Sequence, residues 1–85
     1  MEIAFDEIAT NDLNFWKNSG NTKIQKRIEK LIEAILKSPY EGIGKPEALK
    51  HELTGKRSRR IDREHRVVYE VDENVIRIYS LRGHY

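Results

Sequence analysis

Carboxylates, histidines and a crowd of arginines recur through the second half of this chain, and together they can cleave a phosphodiester. The densest stretch, residues 56–71 (KRSRRIDREHRVVYEV), opens on arginines and closes on an apolar run, with His65 and Arg66 at the junction. Seven of the eight arginines lie at Arg57 or later, whereas seven of the eight lysines lie at Lys50 or earlier. That sorting points to a task for guanidinium, which grips phosphate or carboxylate through two parallel hydrogen bonds.

Cleavage of RNA by its own 2′-hydroxyl needs these three parts. A base removes the hydroxyl proton, an acid protonates the leaving 5′-oxygen, and cations stabilise the charge that builds on the phosphoryl oxygens. No metal is required, and a histidine, with an ordinary pKa of about 6.5, suits either proton role. Composition permits this chemistry without selecting it. The plain alternative is a solvated, charge-rich hairpin.

Other chemistries are poorly served. His51, His65 and His84 lack ligand spacing, and His51-Glu52 is not followed by the second histidine of a zinc-protease helix. No serine sits in a nucleophile elbow, and Gly42 and Gly44 do not separate a strand from a helix as a phosphate loop requires. There are no cysteines, which removes disulfides and thiolate zinc sites and fits a reducing compartment. No apolar run approaches the roughly 20 residues that span a bilayer. The start, MEIAFDEIAT, is acidic and lacks a basic-then-apolar signal pattern, so the expected location is cytoplasmic.

The net charge of +2 says less than its distribution. Residues 1–55 hold eight basic and nine acidic side chains, a balance of −1, and residues 56–85 hold eight and five, a balance of +3. A basic last third on a near-neutral body is a mild sign of a nucleic acid or an acidic partner.

These residues must be positioned by a small scaffold. Eighty-five residues predict one domain, burying roughly 60% of its unfolded surface. Residues 2–5 (EIAF) alternate as a strand, and Ala9, Leu13 and Trp16 recur at helical spacing until Gly20, which predicts a first helix over 7–18. Ile24, Ile28, Leu31, Ile32, Ile35 and Leu36 form one apolar stripe of a second helix, capped by Asn21 or Thr22 and stopped by Pro39. The short link predicts an antiparallel helical hairpin. Residues 39–53 read as a loop, with a turn at 46–50, carrying Lys45, Glu47, Lys50 and His51. Residues 56–61, 66–71 and 75–81 then read as three strands joined by polar turns. The fold class is α+β: a mainly antiparallel sheet with the hairpin on one face and arginines gathered on the other.

The motifs GIGKPEALKHELTG, SRRI, EHRVVYEV and a terminal His-Tyr, in that order, resemble the YoeB/Txe group of the RelE superfamily. The likeness spans the chain and is densest from residue 39 onward. It implies a single toxin domain over 1–85 with a RelE-like microbial RNase fold. It also implies a ribosome-dependent endoribonuclease that cuts mRNA in the aminoacyl-tRNA site and needs no cofactor or metal. By position, Glu47 would be the general base, Arg66 would hold the scissile phosphate and His84 would be the general acid. Tyr85 would position or stack substrate, while Lys50, Arg60 and Arg59 match basic positions that would contact it. The implied partners are the 70S ribosome with its mRNA and rRNA, a second copy of the chain, and a YefM/Axe-like antitoxin. Operator DNA would be bound only through the antitoxin complex.

Taken singly, Glu47 also reads as an exposed turn residue, Arg66 as a sheet-face cation beside Glu70, and His84-Tyr85 as a frayed end. A catalytically silent module that docks on rRNA or an antitoxin is the alternative function. Two positions depart from the group's pattern: Lys56-Arg57 stand where many relatives carry an aromatic pair, and Gly83 where many carry Tyr.

Overall fold

A computed structural model describes residues 1–83; His84 and Tyr85 lie outside the described residues. Strand β1 (Glu2–Phe5) leads into helices α1 (Glu7–Ser19) and α2 (Thr22–Lys37). Strands β2 (Glu47–Ala48), β3 (Arg57–Arg60), β4 (Arg66–Asp72) and β5 (Val75–Ser80) follow, with a 3-10 turn (His51–Leu53) between β2 and β3. The five strands form one sheet in the order β1-β5-β4-β3-β2. All neighbours are antiparallel except β1 and β5, which run parallel with Ile3 opposite Ile76. The expected α+β architecture is present, with one parallel pair at the β1 edge.

Local chemistry explains the helix ends. Gly20 closes α1 with φ 74°, a left-handed conformation that glycine adopts without strain. The Asn21 carboxamide accepts the Ile24 N–H at 3.1 Å and so starts α2, and Pro39 bars its continuation. From α2, Ile24, Ile28, Leu31 and Ile35 join Ala9 and Trp16 of α1 and the inward residues Val67, Tyr69, Ile76 and Ile78 in one core. Burying each large aliphatic side chain stabilises the fold by about 1.5–3 kcal/mol. Leu36, expected within the stripe, lies at its edge and stays exposed.

Two expectations need correction. Residues 47–48 are a short strand rather than part of a loop, with Glu47 opposite Ser58 and Ala48 opposite Arg57. The chain is steered there by Gly44, whose carbonyl accepts the Arg60 N–H at 2.7 Å. A Cβ at Gly44 would come within 2.9 Å of Leu31 and 3.0 Å of Arg59, so only glycine allows this approach. The arginines, moreover, divide between the two faces. Register pairs Arg57 with Tyr69 and Arg59 with Val67 on the helix side, but Arg60 with Arg66 and Arg77 with Glu70 on the other.

Candidate functional site

The face turned away from the helices assembles the site across β2, β3 and β4. Glu47 is exposed on β2 and sits in register opposite Ser58, which is opposite Val68. Arg66, half-buried at the start of β4, donates from Nη1 to the Ser58 hydroxyl at 3.4 Å. Ser58, fully buried, thus lies between the strand of the carboxylate and the guanidinium. Arg66 lies two strands across from Glu47 and two residues along, so at roughly 4.8 Å per strand and 3.3 Å per residue their backbones stand about 12 Å apart, a gap that long facing side chains can narrow around a phosphate. Arg60 is exposed beside Arg66 in the next row. Lys50 is exposed just past β2, in a recess with Glu47, Leu49, His51 and Leu53.

The chain end is led to the same place. Leu81 donates its N–H to Asp12 Oδ2 at 2.9 Å and accepts the Trp16 indole N–H at 2.8 Å, so α1 holds it from both sides. Two residues on, the Gly83 carbonyl accepts the Arg66 N–H at 2.9 Å. The expected general acid His84 and the expected substrate contact Tyr85 lie outside the described residues; the residue before them is docked on Arg66.

Arg59 is not where a substrate contact must be. It is fully buried, and its guanidinium donates to the Tyr69 hydroxyl (3.1 Å) and to the carbonyls of Ser38, Glu41 (3.0 Å) and Ile43 (3.3 Å). The expected role is corrected on that ground: Arg59 fastens the 38–44 segment, whereas its neighbour Arg60 remains available on the open face.

Lys56 and Arg57 have found partners of their own. The Lys56 ammonium lies 4.3 Å from the Tyr79 ring centre, and the Arg57 guanidinium lies 4.8 Å from that of Tyr40. Each cation thereby meets an aromatic face, a contact made by charge and ring together. The Tyr79 hydroxyl donates to Glu70 Oε1 at 2.6 Å. That bond to a carboxylate, with some desolvation, pushes the phenol up to about 12, so Tyr79 stays protonated at neutral pH and is no base. Among the described residues, no three His, Asp or Glu side chains gather as a metal site needs.

A family model described as the YoeB-like toxin of bacterial type II toxin–antitoxin systems matches residues 5–85. The chain belongs to this family. A YoeB toxin of a Synechocystis strain is 47% identical over all of this chain and 98% of its own. A YoeB/ParE toxin from Agrobacterium tumefaciens superposes with a TM-score of 0.95 at 33% identity, each chain fully covered. YoeB of Staphylococcus aureus, solved in a heterotetrameric YoeB–YefM complex and as a dimer, gives TM-scores of 0.89 and 0.90. Both are 44% identical, covering all of this chain and 98% of theirs. The RelE-like fold expected from the motifs is therefore that of this YoeB-like toxin.

His65 lies in the turn between β3 and β4, and Asp12 and Trp16 lie on α1. The structure brings all three against the chain end. The sequence carries no local signal for this, because their partners lie 18 to 69 residues away.

Proposed function

We propose that this YoeB-like toxin is an endoribonuclease that cuts mRNA in the ribosomal A site by 2′-hydroxyl attack and so stops translation. The observation that carries the reading is the placement of Glu47 and Arg66 on one sheet face, either side of Ser58. In this reading the Glu47 carboxylate takes the 2′-hydroxyl proton. The freed 2′-oxygen bonds to phosphorus, the bond to the 5′-oxygen breaks, and His84 protonates that leaving oxygen. Products are a 2′,3′-cyclic phosphate and a 5′-hydroxyl. Arg66 holds the non-bridging oxygens as their charge grows, helped by Arg60 and Lys50, while Tyr85 steadies the substrate.

Dependence on the ribosome fits a site that is exposed and built on a thin basic edge. rRNA and mRNA together would supply the walls that this small domain lacks. The toxin's second partner in this reading is an acidic antitoxin segment that folds over the same face, as YefM accompanies its relative in Staphylococcus aureus. A homodimer, as in that relative's other structure, is the further assembly to test. The whole chain acts as one domain in the cytoplasm, where ribosomes are.

The test adds purified toxin to translating ribosomes and maps mRNA 5′ ends. New ends within A-site codons that disappear with His84→Ala support the reading. Identical ends with both proteins would remove the catalytic reading built on His84, and ribosome binding without any new ends would leave a silent docking module instead. Cleavage of naked RNA at equal rate removes the ribosome from the mechanism.

A further inference from the structure

The chain end is fastened by one side chain that the proposed mechanism does not use. His65 lies in the turn between β3 and β4, and its backbone is itself fixed there. Its N–H donates to Asp62 Oδ1 at 2.7 Å, and its carbonyl accepts the Ile61 N–H at 2.9 Å. Its ring stands edge-on to Trp16, with centres 4.8 Å apart and planes at 81°, and only 16% of the side chain is exposed. From this seat Nδ1 accepts the Gly83 N–H at 2.8 Å.

That bond identifies the state of the ring. A nitrogen that accepts an N–H has a free lone pair, so the proton of the neutral imidazole is on Nε2. The Glu64 carboxylate, 3.8 Å from Nε2, favours the proton on that side. Gly83 is then held from two sides by consecutive residues: its N–H by the His65 side chain and its carbonyl by the Arg66 N–H at 2.9 Å. Because Arg66 is also the residue assigned to the phosphate, the clamp ties the exit of the chain end to the phosphate-holding strand itself.

We propose that His65 is a positioning residue for the reaction: as the Nε2–H tautomer it holds Gly83 against β4 and so sets where the chain end carrying His84 leaves the sheet. The proposal rests on the ribonuclease reading above. A merely structural role would require only a ring to fill the space beside Trp16. The positioning role requires an acceptor at the Nδ1 place and is indifferent to the ring.

Three variants separate the two. His65→Phe keeps a ring on Trp16 and removes the acceptor. His65→Asn removes the ring and keeps an acceptor at about the distance of Nδ1 from the backbone, whereas His65→Gln puts its acceptor where Nε2 stood. The expected order for kcat on translating ribosomes is wild type, then Asn, with Phe and Gln lower by on the order of 10- to 100-fold, the loss that follows a displacement of about 1 Å in a reacting group. The Tm should run the other way, with Phe above Asn. If activity instead follows Tm, with Phe at or above Asn, the acceptor has no role and the proposal falls.

A second readout needs no catalysis. In the nitrogen–proton spectrum of the free toxin, the ring nitrogens of His65 should show the Nε2–H tautomer. The Gly83 amide should exchange faster with solvent in the Phe and Gln variants and near wild type in the Asn variant. A Gly83 amide unmoved by His65→Phe overturns the clamp even if every variant cleaves. If the wild type cleaves nothing, the ribonuclease reading falls separately, and with it the catalytic purpose assigned to a clamp that the amide still reports.

Discussion

The Arg59 guanidinium donates to the Tyr69 hydroxyl at 3.1 Å, and that hydroxyl in turn donates to the Pro39 carbonyl at 2.7 Å. Both side chains are fully buried, and between them they bind the carbonyls of residues 38, 39, 41 and 43. A segment without helix or strand is thereby attached to the sheet, and it delivers the chain to Gly44 and then to Glu47. The buried arginine of this toxin serves the site at one remove, by anchoring the path to its proposed base.

Arg59→Lys should therefore not behave as a conservative change. An ammonium cannot reach carbonyls in so many directions, and several buried acceptors would lose their donors. The expected cost is about 2–4 kcal/mol, since each unsatisfied buried group costs about 1–3 kcal/mol. In a domain of this size each kcal/mol lowers the Tm by about 4–8 °C. Urea denaturation measures the loss directly. Arg60→Lys, on the exposed face, should change stability by no more than about 0.5 kcal/mol. Equal effects at the two positions would contradict the division of roles.

Glu47→Gln keeps shape and exposure while removing the proposed base. Stability should stay within about 1 kcal/mol of wild type, because the position is exposed on a two-residue strand. Cleavage on ribosomes should fall by about 10²- to 10⁴-fold, the usual worth of a positioned general base. Ribosome co-sedimentation should persist, because basic side chains rather than this carboxylate bind RNA. Full activity in the Gln variant would require another base.

Tyr79 offers a pH test that is independent of cleavage. Its phenol is raised to about 12 chiefly by its hydrogen bond to Glu70, against about 10 in an unfolded chain. The folded state therefore holds this proton more tightly than the unfolded state. The stabilisation is fully present below pH 10 and is lost as pH rises through 12. Wild type should lose stability relative to Tyr79→Phe across that window, and one tyrosine should be missing from the ultraviolet titration until about pH 12. Parallel stability curves for the two proteins between pH 10 and 12 would mean that the Glu70 bond is absent in solution.

How much of this was legible in the sequence depends on the range of the interaction that decides it. The α2 stripe is set by spacing within a few residues, so Ile24, Ile28, Leu31 and Ile35 were readable from the chain alone. Strand β2 was not, because two residues carry no alternation and their pairing depends on where Gly44 and Arg59 send the chain. Arg59 and Arg60 are identical as letters; only strand parity, which no local feature marks in SRRI, puts one inside and the other out. Glu47 and Arg66 could be nominated from motif order, but their common face follows from the β2–β3–β4 register. His65 gave no signal at all, since its partner Gly83 is 18 residues away.

Gly83 takes a left-handed backbone, and that conformation has a consequence for the chain end. Its φ of 72° lies in the left-handed region, where an L side chain costs about 1–2 kcal/mol, although a Cβ would meet nothing within 4 Å. Gly83→Ala should thus bring strain without a clash. The strain falls after the last strand, on the two hydrogen bonds that hold residue 83, and not on the core. Urea denaturation should then show a change below about 0.5 kcal/mol. The conformer that presents the chain end should become rarer by about 5- to 30-fold, and the cleavage rate should fall with it. Semisynthetic D-alanine at the same position adopts positive φ without strain and should restore the rate. If L-alanine cleaves as well as glycine, the left-handed clamp contributes nothing to presenting the chain end, and the placement of His84 must come from contacts beyond Gly83.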